Sequence, residues 1–418
     1  LNQAVEIEET QGPSRLGYIA ALDHDVITVE VMDSTRGMSL ADARVRFHGE
    51  RLQFAVGPDI LGRVFDGVGR VIDGGPQISA TKIFNIDGLA INPAMRASPT
   101  DFIETGVSTI DLMNSLVRGQ KLPIFSGSGL PHDELAIQLA RQSRLRGSDV
   151  GDFAIVFAAI GVPFDTAERF RHAMESSGAL EHTALFLNLA SDSSTQRLLT
   201  PRYALTAAEY LAFEEGRHVL VIMTDMTNYC EALREVAASH GVVPSRKGFP
   251  GYMYSDLATI YERAGSIKEV QGSLTQLPIL TMPSDDITHP IPDLTGYITE
   301  GQIVLDRILD RADIYPPVKV LPSLSRLMKD GTGENYTHPD HPALANQLYA
   351  PYSRAVHVRV LARVVGREGL ARIDQLFLDF GDRFEQELVH QKGPRTLEQS
   401  METAWQLLRT LPVSELTR

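Results

Sequence analysis

Eight residues, Ser126-Gly127-Ser128-Gly129-Leu130-Pro131-His132-Asp133, lie between an apolar run, Leu122-Pro123-Ile124-Phe125, and a segment from Glu134 to Arg141 that puts Leu135 and Leu139 on one helical face. Strand, glycine-rich turn and helix in that order make the frame of a phosphate-binding loop, whose pattern is Gly-x-x-x-x-Gly-Lys-Ser/Thr. The frame is kept and the chemistry is not. Pro131 stands at the second glycine, where it removes an amide donor and fixes φ. His132 replaces the lysine with a shorter group that is only roughly a quarter protonated at neutral pH. Asp133 replaces the hydroxyl that ligates magnesium and sets a negative charge where a polyanion would lie. Taken alone, the octamer is equally compatible with an ordinary strand-turn-helix junction. If nucleotide binds here, Ser126, Gly127, Ser128, Gly129, His132 and Asp133 form a degenerate, weak site, with Asp225 as its second carboxylate.

Asp225 follows the apolar run Val219 to Thr224, the arrangement of an aspartate that steadies a magnesium shell at the end of a strand. The same pattern describes an aspartate that caps the next helix, Met226 to Arg234, and both readings stand. Hydrolysis also needs a carboxylate to orient water at the end of a neighbouring strand. The run Ala154 to Ile160 ends in Gly161-Val162-Pro163, which offers none, and Asp165 lies beyond a proline. Phosphate lysine, magnesium hydroxyl and water-activating acid are therefore missing together, so the chain is not expected to hydrolyse ATP alone.

These elements sit in a chain of 418 residues, enough for two or three domains, with 43% apolar and 22% charged residues. A formal charge of -14 argues against a nucleic-acid track, which needs clustered Lys and Arg. Cys230 is the only cysteine, so no internal disulfide forms and a reducing compartment is expected. The longest apolar stretch, Phe153 to Phe164, is far shorter than the ~20 residues that span a bilayer. The sequence begins at Leu1, and its first domain reads as shortened.

The expected architecture is multidomain α/β. Alternations such as Val26 to Val31, broken by Gly17, Gly37 and Gly49, predict a small N-terminal antiparallel barrel or sheet over 1–52. Buried-strand runs, Ala154 to Ala158 and Val219 to Met223, alternate with helical segments such as Ala204 to Glu214, predicting a parallel α/β core over 53–335. Ile373, Leu376, Phe377, Phe380, Phe384 and Leu388 recur at three- and four-residue steps and predict a helical bundle over 336–418, with Gly331 to Pro342 as the linker. Asp285, Asp286 and His289 read as a solvated turn between prolines rather than a metal site, and no metal site is expected. Tyr252, Tyr254 and Tyr261 read as packing residues.

Longer runs make the chain recognisable. Gly119-Gln120-Lys121, the octamer, Thr224 through Arg234, Pro250-Gly251-Tyr252-Met253-Tyr254, Tyr261-Glu262-Arg263-Ala264-Gly265, Pro292 through Gln302 and Leu321-Pro322-Ser323-Leu324-Ser325-Arg326-Leu327 resemble the non-catalytic B subunit of the V/A-type rotary ATPases. The resemblance runs from about Gly57 to the C-terminus. It implies a hexamer in which three such subunits alternate with three catalytic A subunits, together with central and peripheral stalk subunits, on the cytoplasmic face of a membrane that the chain meets only through the complex. It implies no cofactor of the chain's own, with MgATP or MgADP at the interface with the catalytic subunit. In that family the Ser-Leu-Ser-Arg segment supplies an arginine finger to the neighbouring site, which falls here on Arg326. A guanidinium is permanently charged and forks onto phosphate oxygens, and such fingers are worth about 10³ to 10⁵ in rate.

Two rivals remain at the level of sequence. One is a subunit of the same motor that senses ATP or ADP weakly at its own degenerate loop. The other is an active hexameric ATPase of the secretion or RNA-translocating type, opposed by the missing lysine, the missing acid and the negative charge. Whether protons or sodium ions move, and in which direction, is decided in other subunits.

Overall fold

The computed structural model describes residues 2–9, 12–39, 41–88, 91–146 and 152–416. They form two compact units, each discontinuous in sequence: Leu1–Arg96 with Ala154–Leu274, and Ala97–Phe153 with Thr275–Arg418.

The first unit opens with an antiparallel sheet in the spatial order Val26–Val31, Arg15–Asp23, Gln3–Glu8 and Arg44–Arg51. Alternation sets its faces: Val5 and Ile7 point inward and are buried while their neighbours are half-buried. Gln53–Val56 pairs antiparallel with Lys82–Asn85. Beyond it the pattern becomes parallel. Val64–Asp66 pairs with Thr183–Leu189, which pairs with Phe153–Val162, and His218–Thr224 continues the order. The Phe153–Val162 strand has no polar alternation because helices such as Phe164–Ser177 and Met226–Ser239 belong to a layered α/β arrangement in which both strand faces are covered. The sequence pattern of buried runs separated by helices is realised here.

In the second unit the strands run Leu324–Ser325, Gly301–Val304, Ile124–Gly127 and the Ser273–Met282 strand. Ile124 pairs in parallel with both Ile279 and Ile303, while Gly301 opposes Ser325 in antiparallel register. The C-terminal part is helical, His341–Val365, Arg372–Arg383 and Leu397–Leu408. The three- and four-residue series places Phe377, Phe380, Phe384 and Leu388 in one core with Leu348, Tyr352, Met401 and Leu407. Tyr352 stacks on Phe384 with ring centroids 4.4 Å apart. Gly366 ends the first of these helices at φ 76, and Thr396 with Gln399 forms a capping box that starts the last. The 331–342 stretch is tied down: buried His341 lies 3.0 Å from Leu112 O and 3.0 Å from Thr337 Oγ1. No helix among the described residues is long and apolar enough to cross a membrane.

Candidate functional site: a glycine turn beside an aspartate–arginine pair, and an exposed arginine

The turn lies between the buried Ile124–Gly127 strand and the His132–Gln142 helix. Helix formation is favoured by Leu135 and Leu139 facing inward, both fully buried, but its N-cap is Pro131 and no side chain caps it. The turn is closed by its own backbone. Leu130 N donates to Gly127 O at 3.1 Å, and His132 N donates to Leu130 O at 2.8 Å. His132 does not reach outward as a lysine would: its Nδ1 lies 3.0 Å from the buried Ser126 Oγ, and its Nε2 lies 3.7 Å from Asp133 Oδ1.

A second carboxylate completes the arrangement. Arg307 grips Asp285 with two charge-assisted bonds of 2.9 Å each, and the same guanidinium donates to Ser128 O at 2.9 Å. The pair draws the Asp285 carboxyl below its usual range, chiefly through the hydrogen bond from Arg307. Asp285 is so close to the turn that a Cβ on Gly127 would stand 2.2 Å from its Oδ1. Ser284 and Asp285 both take left-handed backbone conformations, φ 58 and φ 56, which aim this side chain at the turn. The turn therefore has a proline in place of an amide donor and no lysine, with Asp133 at the metal-ligand position and the Arg307-bound carboxylate of Asp285 against its glycine.

Asp285 and Arg307 are what sequence reasoning missed. Asp285 reads as a turn residue, and nothing about Arg307 marks it locally, because the two are 22 positions apart and meet only through the fold. Asp286 bonds within its own turn to Thr288 N and Oγ1, and His289 caps the Pro290–Ile298 helix by accepting from Ile291 N. Tyr261 is buried, while Tyr252 and Tyr254 are half-exposed.

Asp225 belongs to the first unit, whereas Ser126 to Asp133 belong to the second. It is the N-cap of the Met226–Ser239 helix, accepting from Thr227 N at 2.7 Å, as the capping alternative describes. Val162, buried at the end of the Phe153–Val162 strand, presents an isopropyl group where hydrolysis would need an acid.

Arg326 stands just after the short Leu324–Ser325 strand and is exposed. Its Nη1 donates to Thr299 O at 3.0 Å and its backbone N donates to Glu300 O at 3.0 Å. No carboxylate among the described residues pairs with it. Beside it opens a cavity of about 580 Å³ lined by Gly301, Leu324, Met328, Asn346 and Tyr349.

A parallel sheet carrying a strand, glycine turn and helix places the chain in the broad class of α/β proteins built on a phosphate-loop frame. Residues 106–325 match the model of the ATP synthase alpha/beta family, nucleotide-binding domain, and residues 330–418 match the C-terminal domain of V and A type ATP synthase. The chain is 54% identical over 419 residues to the V-type ATP synthase beta chain of Halothermothrix orenii, covering 100% of this chain and 90% of that one. It is 51% identical over 420 residues to V-type ATP synthase beta chain 2 of Clostridium tetani, at 100% and 91% coverage. Among solved structures it resembles the ATP synthase subunit NeqB from Nanoarcheaum equitans, with a TM-score of 0.80 and 37% identity over 98% of this chain and 100% of that one. The chain belongs to the V-type ATP synthase beta chain family.

Proposed function

We propose that this chain is the non-catalytic member of an alternating hexamer, three copies with three catalytic subunits, and that it supplies Arg326 in trans to the ATP site of its neighbour. The observation that carries this reading is an exposed guanidinium held at one nitrogen by a backbone carbonyl and paired with no carboxylate among the described residues. A finger that acts in trans needs a permanently charged, accessible fork whose donors are not used up within its own chain. This one keeps donors for a ligand that the chain itself does not bring.

The degenerate turn supports the same division of labour. Its histidine is turned onto Ser126 and its glycine is covered by Asp285, so MgATP or MgADP is the substrate of the adjoining subunit and not a resident of this loop. As charge spreads over the γ-phosphate oxygens, a positioned guanidinium stabilises it in proportion to the charge that develops, which lowers the barrier instead of tightening ground-state binding. Turnover at that shared site is coupled, through stalk subunits, to proton or sodium ion transport by membrane subunits, with this chain on the cytoplasmic side.

Mixing the purified chain with a nucleotide-competent catalytic subunit tests this. The expected result is no ATP turnover by the chain alone and restored turnover in the mixed hexamer. Turnover by the chain alone would overturn the reading.

A further inference from the structure

We infer that Glu300, clasped by Gln120 and Lys121, is the positioning device for Arg326; this rests on the finger role proposed above and names what aims the finger. The guanidinium is held by Thr299 O, so its direction is set by the peptide between Thr299 and Glu300. That peptide is fixed at its other end, where Glu300 N donates to Lys121 O at 3.0 Å. One peptide unit thus joins Lys121 to the finger.

Everything around that peptide tightens the same joint. The Glu300 carboxylate accepts from Lys121 N at 2.7 Å through Oε2 and lies 2.9 Å from Lys121 Nζ through Oε1. Glu300 O accepts from Gln120 Nε2 at 3.1 Å and from Arg326 N at 3.0 Å. The same Gln120 amide donates to Ser325 Oγ at 3.0 Å, and that hydroxyl donates to Ser115 O at 2.8 Å. Gln120 is fully buried and Lys121 almost so, which makes these contacts stiff. The residue before the finger and the residue that carries its anchor are therefore held by one dipeptide, Gln120-Lys121, which leads directly into the strand of the degenerate turn.

This gives the retained frame a purpose. A strand and turn that no longer have the groups to hold phosphate still fix the register of Lys121 against Glu300. Catalysis by an oriented charge falls steeply with misplacement, about 10²-fold for roughly 1 Å. Loosening Glu300 therefore lowers kcat while leaving substrate binding at the neighbour unchanged.

The test is a double-mutant cycle in the reconstituted hexamer with its catalytic partner, using Glu300→Gln, Arg326→Ala and the pair. Glu300→Gln should lower kcat roughly ten- to hundredfold with KM within about twofold, and should cost nothing further once Arg326 is Ala. Lys121→Gln, which keeps the backbone contacts, is the second variant and should give a smaller loss that also vanishes in the Arg326→Ala background. Assembly is read by the yield of hexamer. Normal kcat in both assembled positioning variants, or equal losses with and without Arg326, would overturn the inference while leaving the finger intact. Normal turnover with Arg326→Ala alone would remove both.

Discussion

Asp285 and Gly127 share one space: the carboxylate of the first fills the volume that any side chain at the second would need, with 2.2 Å between Asp285 Oδ1 and an ideal Cβ on Gly127. Gly127 has ordinary negative φ, so close approach, and not backbone freedom, requires glycine there. Gly127→Ala should destabilise the chain by about 1–3 kcal/mol, because the doubly hydrogen-bonded Asp285 has to move off Arg307. In an Asp285→Ala background, where only the flexible end of Arg307, 2.8 Å from the same Cβ, has to give way, the change should cost less. Urea unfolding of the four variants measures both; equal costs in the two backgrounds would contradict the contact.

The same carboxylate governs attempts to rebuild the loop. A Pro131→Gly, His132→Lys, Asp133→Thr variant regains the pattern but keeps Asp285 against the turn. Titration calorimetry should find ATP binding at least tenfold tighter when Asp285→Ala is added, since that frees the Arg307 guanidinium and removes a negative charge near the phosphates. Equal affinity with and without Asp285 would show that it has no part in disabling the turn.

The contrast between the turn and its surroundings explains what was legible. Regular patterns report themselves: the 219–223 run became the His218–Thr224 strand, and the series ending in Phe384 and Leu388 became the core of the C-terminal helices. The defects of the loop could also be read, because its pattern is local and each position has a known chemical duty. Asp285 with Arg307 could not, nor could Arg263, which is almost fully buried and makes two bonds to Glu209 and one to Ile86 O. Such pairs are joined by topology, and a run of residues carries no trace of which distant segment it will meet. Asp225 marks another limit, since a strand-end aspartate looks the same whether it will steady a metal or cap a helix.

A buried carboxylate in the second unit makes stability depend on pH. Asp111 accepts from Thr105 N, Thr105 Oγ1 and Gly106 N, yet burial outweighs these bonds and raises its pKa to about 7. A carboxyl whose folded pKa lies above its unfolded value stabilises fully below about pH 4, and this contribution is lost as pH rises through about 7. Between pH 5.5 and 8 the native chain should lose about 2 kcal/mol relative to Asp111→Asn, measured by urea unfolding at each pH. Parallel profiles for the two proteins would count against it.

Whether Arg326 acts on a neighbour's substrate is read most directly from ATP turnover by the hexamer reconstituted with Arg326→Ala. Normal assembly is expected with turnover reduced about 10³-fold or more, and only slight recovery with Arg326→Lys, whose ammonium lacks the planar fork. An assembled Arg326→Ala hexamer with wild-type turnover would contradict it.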